Sequence, residues 1–225
     1  MSTLALVVAI AGTAITVLAM PPLLLAECAA RADLRRKIKP IASLGFLIAA
    51  VAMAPWRGGF GEAPTWLAIG LVLGAVGDVA LMYDGERAFL AGLGAFLLGH
   101  AAYVLGFAAE LPFAHWLDGS PVPLVAVAIA GVGALAWLWR GLGSMKIPVI
   151  AYVLVISAMV VGAFAVLGAS PGIRGPKVAV AAALLFYASD LSVARDRFID
   201  HAFINRAWGL PAYYAGQLLF AWSMA

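Results

Sequence analysis

Residues 67–82 read Leu67-Ala68-Ile69-Gly70-Leu71-Val72-Leu73-Gly74-Ala75-Val76-Gly77-Asp78-Val79-Ala80-Leu81-Met82, an apolar run holding one carboxylate. A second run, Val178-Ala179-Val180-Ala181-Ala182-Ala183-Leu184-Leu185-Phe186-Tyr187-Ala188-Ser189-Asp190-Leu191, holds another in the same way. Apolar stretches of this length read as membrane spans. A carboxylate at membrane depth costs about 3 kcal/mol or more unless it is paired or wetted, so Asp78 and Asp190 are functional-site candidates from the outset.

The rest of the chain has the same character. Of 225 residues 65% are hydrophobic and 11% charged, a composition foreign to soluble globular domains. Spanning segments nearly fill the length, so residues 1–225 are expected to form a single transmembrane helical domain. The first apolar run lacks a basic leading region and a small-residue cleavage pattern, and is expected to be a retained helix. Cys28 is the only cysteine, and no Cys/His spacing suggests structural zinc. The formal charge of +3 matters through its placement; no nucleic-acid partner is expected.

Polar and Pro/Gly-rich breaks divide the apolar runs into eight expected helices: Thr3–Leu25, Pro40–Trp56, Thr65–Tyr83, Ala88–Ala109, Val122–Trp139, Ile147–Leu167, Lys177–Val193 and Trp208–Met224. The fold class is therefore all-α, a polytopic bundle of eight transmembrane helices. Arg31, Arg35, Arg36, Lys37, Lys39, Arg87, Arg140, Lys146, Arg195, Arg197 and Arg206 fall at the odd-numbered connections, and only Arg57, Arg174 and Lys177 at the even ones. This bias places the odd connections in the cytoplasm and both termini on the other side. Trp56, Trp66 and Trp116 then mark the outer boundary, with Tyr83, Trp137, Trp139 and Trp208 at the inner one. The setting expected is an integral, multi-pass protein of a bacterial inner membrane.

Other polar residues gather at the depth of the two aspartates. Lys39-Pro40 opens the second helix, with proline where a missing N–H is tolerated. The fourth carries His100 and Tyr103 on a face with Phe89, Leu93, Phe96 and Phe107, beside a ridge of Gly92, Gly99 and Gly106. Gly70, Gly74 and Gly77 flank Asp78, so the third and fourth helices should pack closely. Tyr187 precedes Asp190, and the eighth helix brings Tyr213, Tyr214 and Gln217. Taken singly, the histidine and tyrosines read equally well as interhelical hydrogen bonders, and Lys39 as a snorkelling side chain.

Two carboxylates in one low-dielectric pocket cannot both stay charged cheaply, which leaves one to act as an acid and the other to stabilise a cation. That division suits a bond cleaved by protonation through an oxocarbenium-like state, of which a vinyl ether is an example. No metal is required.

The motifs Lys39-Pro40, Gly77-Asp78 with Leu81, Phe89-Leu90-Ala91-Gly92 with Phe96 and His100-Ala101-Ala102-Tyr103, Ser189-Asp190 with Arg197-Phe198, and Tyr213-Tyr214-Ala215-Gly216-Gln217 together resemble the YhhN-like lysoplasmalogenase family. The resemblance implies an integral membrane hydrolase that cuts the vinyl ether of lysoplasmalogens, releasing a fatty aldehyde and glycerophosphocholine or glycerophosphoethanolamine. It implies Asp78 and Asp190 as the acid/base pair, no cofactor, and a site lined by Lys39, His100, Tyr103, Tyr214 and Gln217. The partners expected are thus a lysophospholipid substrate and membrane lipids. Lys39 and Arg197 are candidates for the phosphate, Lys39 the stronger because Arg197 falls beyond the expected end of the seventh helix.

Two other classes compete. A proton- or cation-coupled transporter would use the same carboxylates, yet no helix is obviously broken, although Pro148 and Pro211 come close to helix starts. An intramembrane aspartyl protease would place a tyrosine directly before one aspartate and Gly-x-Gly before the other, and neither pattern is met. Zinc-dependent lipid hydrolysis would need several histidines at membrane depth, where only His100 qualifies; His115 and His201 fall in expected loops.

Overall fold

The structure is a computed structural model that describes residues 2–54, 61–118 and 120–224. Among these residues the regular structure is helical: α1 (Thr3–Cys28), α2 (Ala32–Met53), α3 (Glu62–Ala80), α4 (Glu86–Glu110), α5 (Val122–Leu138), α6 (Lys146–Ala169), α7 (Arg174–Phe198) and α8 (Phe203–Ser223). Short 3-10 turns at Phe113–His115 and Gly143–Met145 lead into α5 and α6. By length and composition α1, α3, α4, α6 and α7 can cross a membrane, while α5 is a shorter apolar helix of 17 residues. The basic start of α2 and the polar residues of α8 dilute the apolar character of those two.

Three adjacent pairs form the framework: α1 with α2, α3 with α4, and α7 with α8. Helix α8 touches α1, α2, α3 and α7, which places its polar side chains in the middle of the bundle. Helix α5 leans mainly on α6, and its Val125, Ile129 and Val132 point outward, as a lipid-facing edge would. The main core cluster contains Phe46, Leu71, Phe96, Tyr103, Met159, Phe186 and Phe220, with smaller clusters around Ala9 and Met53 and around Leu138 and Val149.

Close approach of α3 and α4 is written in glycine. A Cβ at Gly99 would come within 3.3 Å of the Gly70 carbonyl, and one at Gly106 within 3.4 Å of the Ala63 carbonyl. Gly85 ends the intervening turn at φ 108, a left-handed conformation that costs glycine little. The α3 glycines also face other partners: Gly70 makes room for the ring of Tyr103, Gly77 for Phe96, and Gly74 for Gln217 and Tyr213 of α8.

Several expected boundaries move. Helix α2 begins at Ala32, so Pro40 lies inside it and not at its first turn, and the chain tolerates the lost N–H at that point. Pro211 likewise lies within α8. Helix α7 runs to Phe198, so Arg195 and Arg197 sit in its last turn, where cations complement the helix dipole. Apolar periodicity stops where charge begins, but the backbone stays helical through solvated arginines. His115 belongs to the 3-10 turn; His201 is in the α7–α8 connection. Pro55, Trp56 and Arg57, where the second helix was expected to end and one boundary tryptophan to lie, are outside the described residues.

Candidate functional site

The four odd connections meet at one end of the bundle. Arg35 of α2 donates to the Met82 carbonyl at 3.1 Å and lies 3.7 Å from Glu27 of α1 and 3.6 Å from Asp84. Arg206 of α8 lies 3.6 Å from the same glutamate and 3.0 Å from Asp196 of α7. Asn205 ties to Asp196, to the Asp200 carbonyl and to Arg195. This rim surrounds a polar basin of about 450 Å³ that Lys39, Asp78, Asp190, Arg197 and Tyr213 all face.

Asp78 forms the floor. Its Oδ1 stands 3.3 Å from Lys39 Nζ, and its Oδ2 accepts from Ser43 Oγ at 2.6 Å and from Tyr213 OH at 2.9 Å. Behind Tyr213, Gln217 Nε2 donates to the phenol at 3.1 Å, and Tyr103 OH donates to Gln217 Oε1 at 2.7 Å. Tyr103 is held by a stacked Phe220, ring centroids 4.1 Å apart. Donors thus point in sequence from Tyr103 to Asp78, each polarising the next in a dry interior. Tyr214 packs beside them, its hydroxyl 3.4 Å from Ser43 Oγ and from the Lys39 carbonyl. Both tyrosines of α8 therefore face the Asp78 cluster, because α8 is enclosed on several sides.

Asp190 has different company. Tyr152 OH of α6 donates to its Oδ2 at 2.8 Å, and His100 Nε2 lies 3.4 Å from the same oxygen without hydrogen-bond geometry. The imidazole is wedged edge-on against Phe186 and Tyr152, at centroid distances of 4.5 and 5.3 Å. The Asp190 side chain keeps 16% of its surface exposed against 2% for Asp78, so a ligand in the basin reaches Asp190 the more easily.

Beyond Asp190 the polar basin gives way to an apolar groove walled by Phe89, Leu93, Phe96, Leu138, Ile156 and Phe198, with Tyr152 and Tyr187. Asp190, Phe89, Phe96 and Leu81 border both spaces, so a carboxylate stands at the seam between wet and greasy walls.

Of the residues singled out from sequence, Lys39, Asp78, Tyr103, Tyr213, Tyr214 and Gln217 form one connected cluster, and Asp190 and His100 a second that opens on the same basin. Tyr187 stands apart in the groove, its hydroxyl turned toward Ser157 without completing a hydrogen bond. Ser43 and Tyr152 escaped the sequence reading. Ser43 was legible as the residue one turn after Lys39 on the same face. Tyr152 gave no signal beyond a lone phenol in the apolar run of α6. No cluster of metal-ligating side chains is present among the described residues.

Comparison with known proteins points one way. A family model described as "YhhN family" matches residues 34–224. Two curated relatives, from Mycobacterium bovis and Mycobacterium tuberculosis, are each named "Lysoplasmalogenase". Each is 34% identical over 188 residues, covering 79% of this chain and 66% of the relative, so the chain spans just under two thirds of their length. No solved structure matches.

Proposed function

This chain belongs to the YhhN family, and on that premise we propose that it hydrolyses the vinyl ether of lysoplasmalogens to a fatty aldehyde and a glycerophospho-alcohol. The observation that carries the reading is the seam: a reachable carboxyl, Asp190, between an apolar groove suited to the lipid chain and a polar basin suited to the headgroup. The vinyl ether is the bond at the junction of those two parts of the molecule.

The two aspartates take unequal roles. Both oxygens of Asp78 are engaged, one by a lysine and the other by a serine and a tyrosine, an arrangement that favours its anionic form. Asp190, with one phenol donor and access to the basin, delivers its proton to the vinyl carbon distal to oxygen. The resulting oxocarbenium ion is stabilised by the fixed charge of Asp78 across the basin. Water adds to the cationic carbon as Asp190 takes back a proton, and the hemiacetal collapses with proton transfer to the departing alcohol oxygen. One water is consumed, and no metal ion is needed in this scheme. Tyr152 and His100 position Asp190; Tyr213, Gln217 and Tyr103 position Asp78.

The rim of arginines and lysines also supports an orientation in which this end faces the cytoplasm, in a bacterial inner membrane with α2, α5 and α8 completing an eight-span bundle. The test is aldehyde release in proteoliposomes: expected from lysoplasmalogen, not from an ester-linked lysolipid, and strongly reduced in Asp78→Asn and in Asp190→Asn. Aspartate-dependent proton uptake with no aldehyde would instead establish a transporter.

A further inference from the structure

Four cations face the basin, and three are already matched. Lys39 is held at 3.3 Å by Asp78. Arg35 is shared by Glu27, Asp84 and the Met82 carbonyl, and Arg206 by Glu27 and Asp196. Arg197 is different: among the described residues its side chain makes no ion pair or hydrogen bond, and its guanidinium lies 4.5 Å over the ring of Phe89. A stacked guanidinium is held in place with its N–H edge still free, a preorganised fork for an oxyanion.

Its register is equally specific. Arg197 follows Asp190 by seven residues on α7, within about 20° of two full turns, so both lie on one face about 10 Å apart along the axis. Long helical side chains lean toward the helix N-terminus, which brings the guanidinium back toward Asp190 and onto Phe89, a residue bordering both basin and groove. In a lysoplasmalogen the vinyl carbon is separated from the phosphate by the ether oxygen, the glycerol carbons and the phosphoester oxygen, a span of matching scale.

We propose that Arg197 is the phosphate anchor of the site and its ruler, selecting amphiphiles whose phosphate stands one glycerol length from the bond presented to Asp190. Lys39, the stronger candidate from sequence, is the counter-ion of Asp78 in this arrangement. The inference rests on the lysoplasmalogenase reading and adds to it the part of the substrate that sets affinity.

The experiment compares lysoplasmenyl-phosphoethanolamine with its dephosphorylated counterpart, 1-alkenylglycerol, in detergent micelles. The parent protein is expected to show a KM at least about tenfold lower for the phosphate-bearing lipid, the scale of one charge-assisted fork. Arg197→Gln abolishes that difference by raising KM for the phospholipid alone, with kcat unchanged for both; Arg197→Lys falls between. Lys146→Gln, a cation stacked on Trp139 outside the basin, leaves both values as they were. An Arg197→Gln effect equal for both lipids, or none, overturns the proposal. Independently of turnover, a saturated-ether lysophospholipid is expected to raise the thermal midpoint of the parent but much less that of Arg197→Gln. Absence of aldehyde from every lipid together with intact Arg197-dependent binding refutes hydrolysis and keeps the anchor. Equal stabilisation by sn-glycerol-3-phosphate, which has no chain, reduces the site to a free-phosphate site and overturns the ruler.

Discussion

Replacing Lys39 by methionine removes a buried cation while keeping an unbranched chain of similar length. At 3.3 Å and an effective dielectric constant of about 20, the attraction between Lys39 and Asp78 is about 5 kcal/mol, offset by the cost of stripping water from both groups. The net worth of the pair is therefore small, but loss of one partner alone is not. Asp78 would be left buried with only Ser43 and Tyr213 as donors, and such orphaned charges cost about 3–5 kcal/mol. For a chain of this size that corresponds to a fall in thermal midpoint on the order of 10 °C. Lys39→Met/Asp78→Asn removes both charges and keeps the hydrogen-bonding shape, so most of the loss should be recovered, with a coupling energy of about 2 kcal/mol or more from the double-mutant cycle. Tryptophan fluorescence during heating in detergent reads all four proteins. A midpoint for Lys39→Met within about 2 °C of the parent, or a double variant as unstable as the sum of its parts, would refute the buried ion pair.

Three further outcomes are expected. Asp190→Asn keeps the side-chain shape and should fold normally while kcat for aldehyde release falls by about 10²–10⁴, the usual contribution of a positioned acid, with KM little changed. Tyr152→Phe deletes the phenol that orients Asp190 at 2.8 Å; a hydrogen bond to a charged group is worth about 1.5–3 kcal/mol, so kcat should fall at least about tenfold while the thermal midpoint moves little. In Gly74→Ala the new methyl collides with the Gln217 amide nitrogen and comes within 3.1 Å of Tyr213 OH. The amide is buried and bonded to Tyr103 and Tyr213, so it can give way only by breaking those bonds; the stability cost is about 1–3 kcal/mol, and activity should drop as Tyr213 loses its supporting donor.

The helical class, the number of helices among the described residues and most of the Asp78 cluster, Ser43 excepted, were legible because burial in lipid forces a long apolar run and makes each polar interruption conspicuous. Lys39, His100, Tyr103 and Gln217 stood out for that reason. Helix ends were less legible: Arg35, Lys39, Arg195 and Arg197 lie inside α2 and α7, since backbone hydrogen bonding continues past the point where hydrophobicity stops. Pairing was not legible at all. Nothing in the sequence says that Lys39 would meet Asp78 and leave the phosphate to another cation, or that Tyr152, isolated in α6, would reach Asp190; those follow from the crossing of α2, α3, α6 and α7 around the basin. Glu27 is the same kind of case, a single acid at the end of α1 that bridges Arg35 and Arg206 only once three helices meet.

A group that gives up and regains a proton in every turnover must be reachable and must not lose much when its charge changes. Asp78 would forfeit a lysine and two hydroxyl donors at each cycle; Asp190 forfeits one phenol, and it faces the seam where the ether would lie. The chemistry assigned to Asp190 leaves a mark on the product. Proton delivery to carbon in heavy water places one deuterium on the carbon next to the aldehyde, because the donor carboxyl has exchanged with solvent beforehand. Trapping the aldehyde as it forms and weighing it by mass spectrometry reads that atom directly. Asp78→Asn should slow the reaction by removing the fixed anion and Asp190→Asn by removing the acid, while any residual product of either variant still carries the label. Unlabelled aldehyde from the parent protein would mean that carbon is never protonated by an exchangeable acid, and the roles given to both carboxylates would fall together.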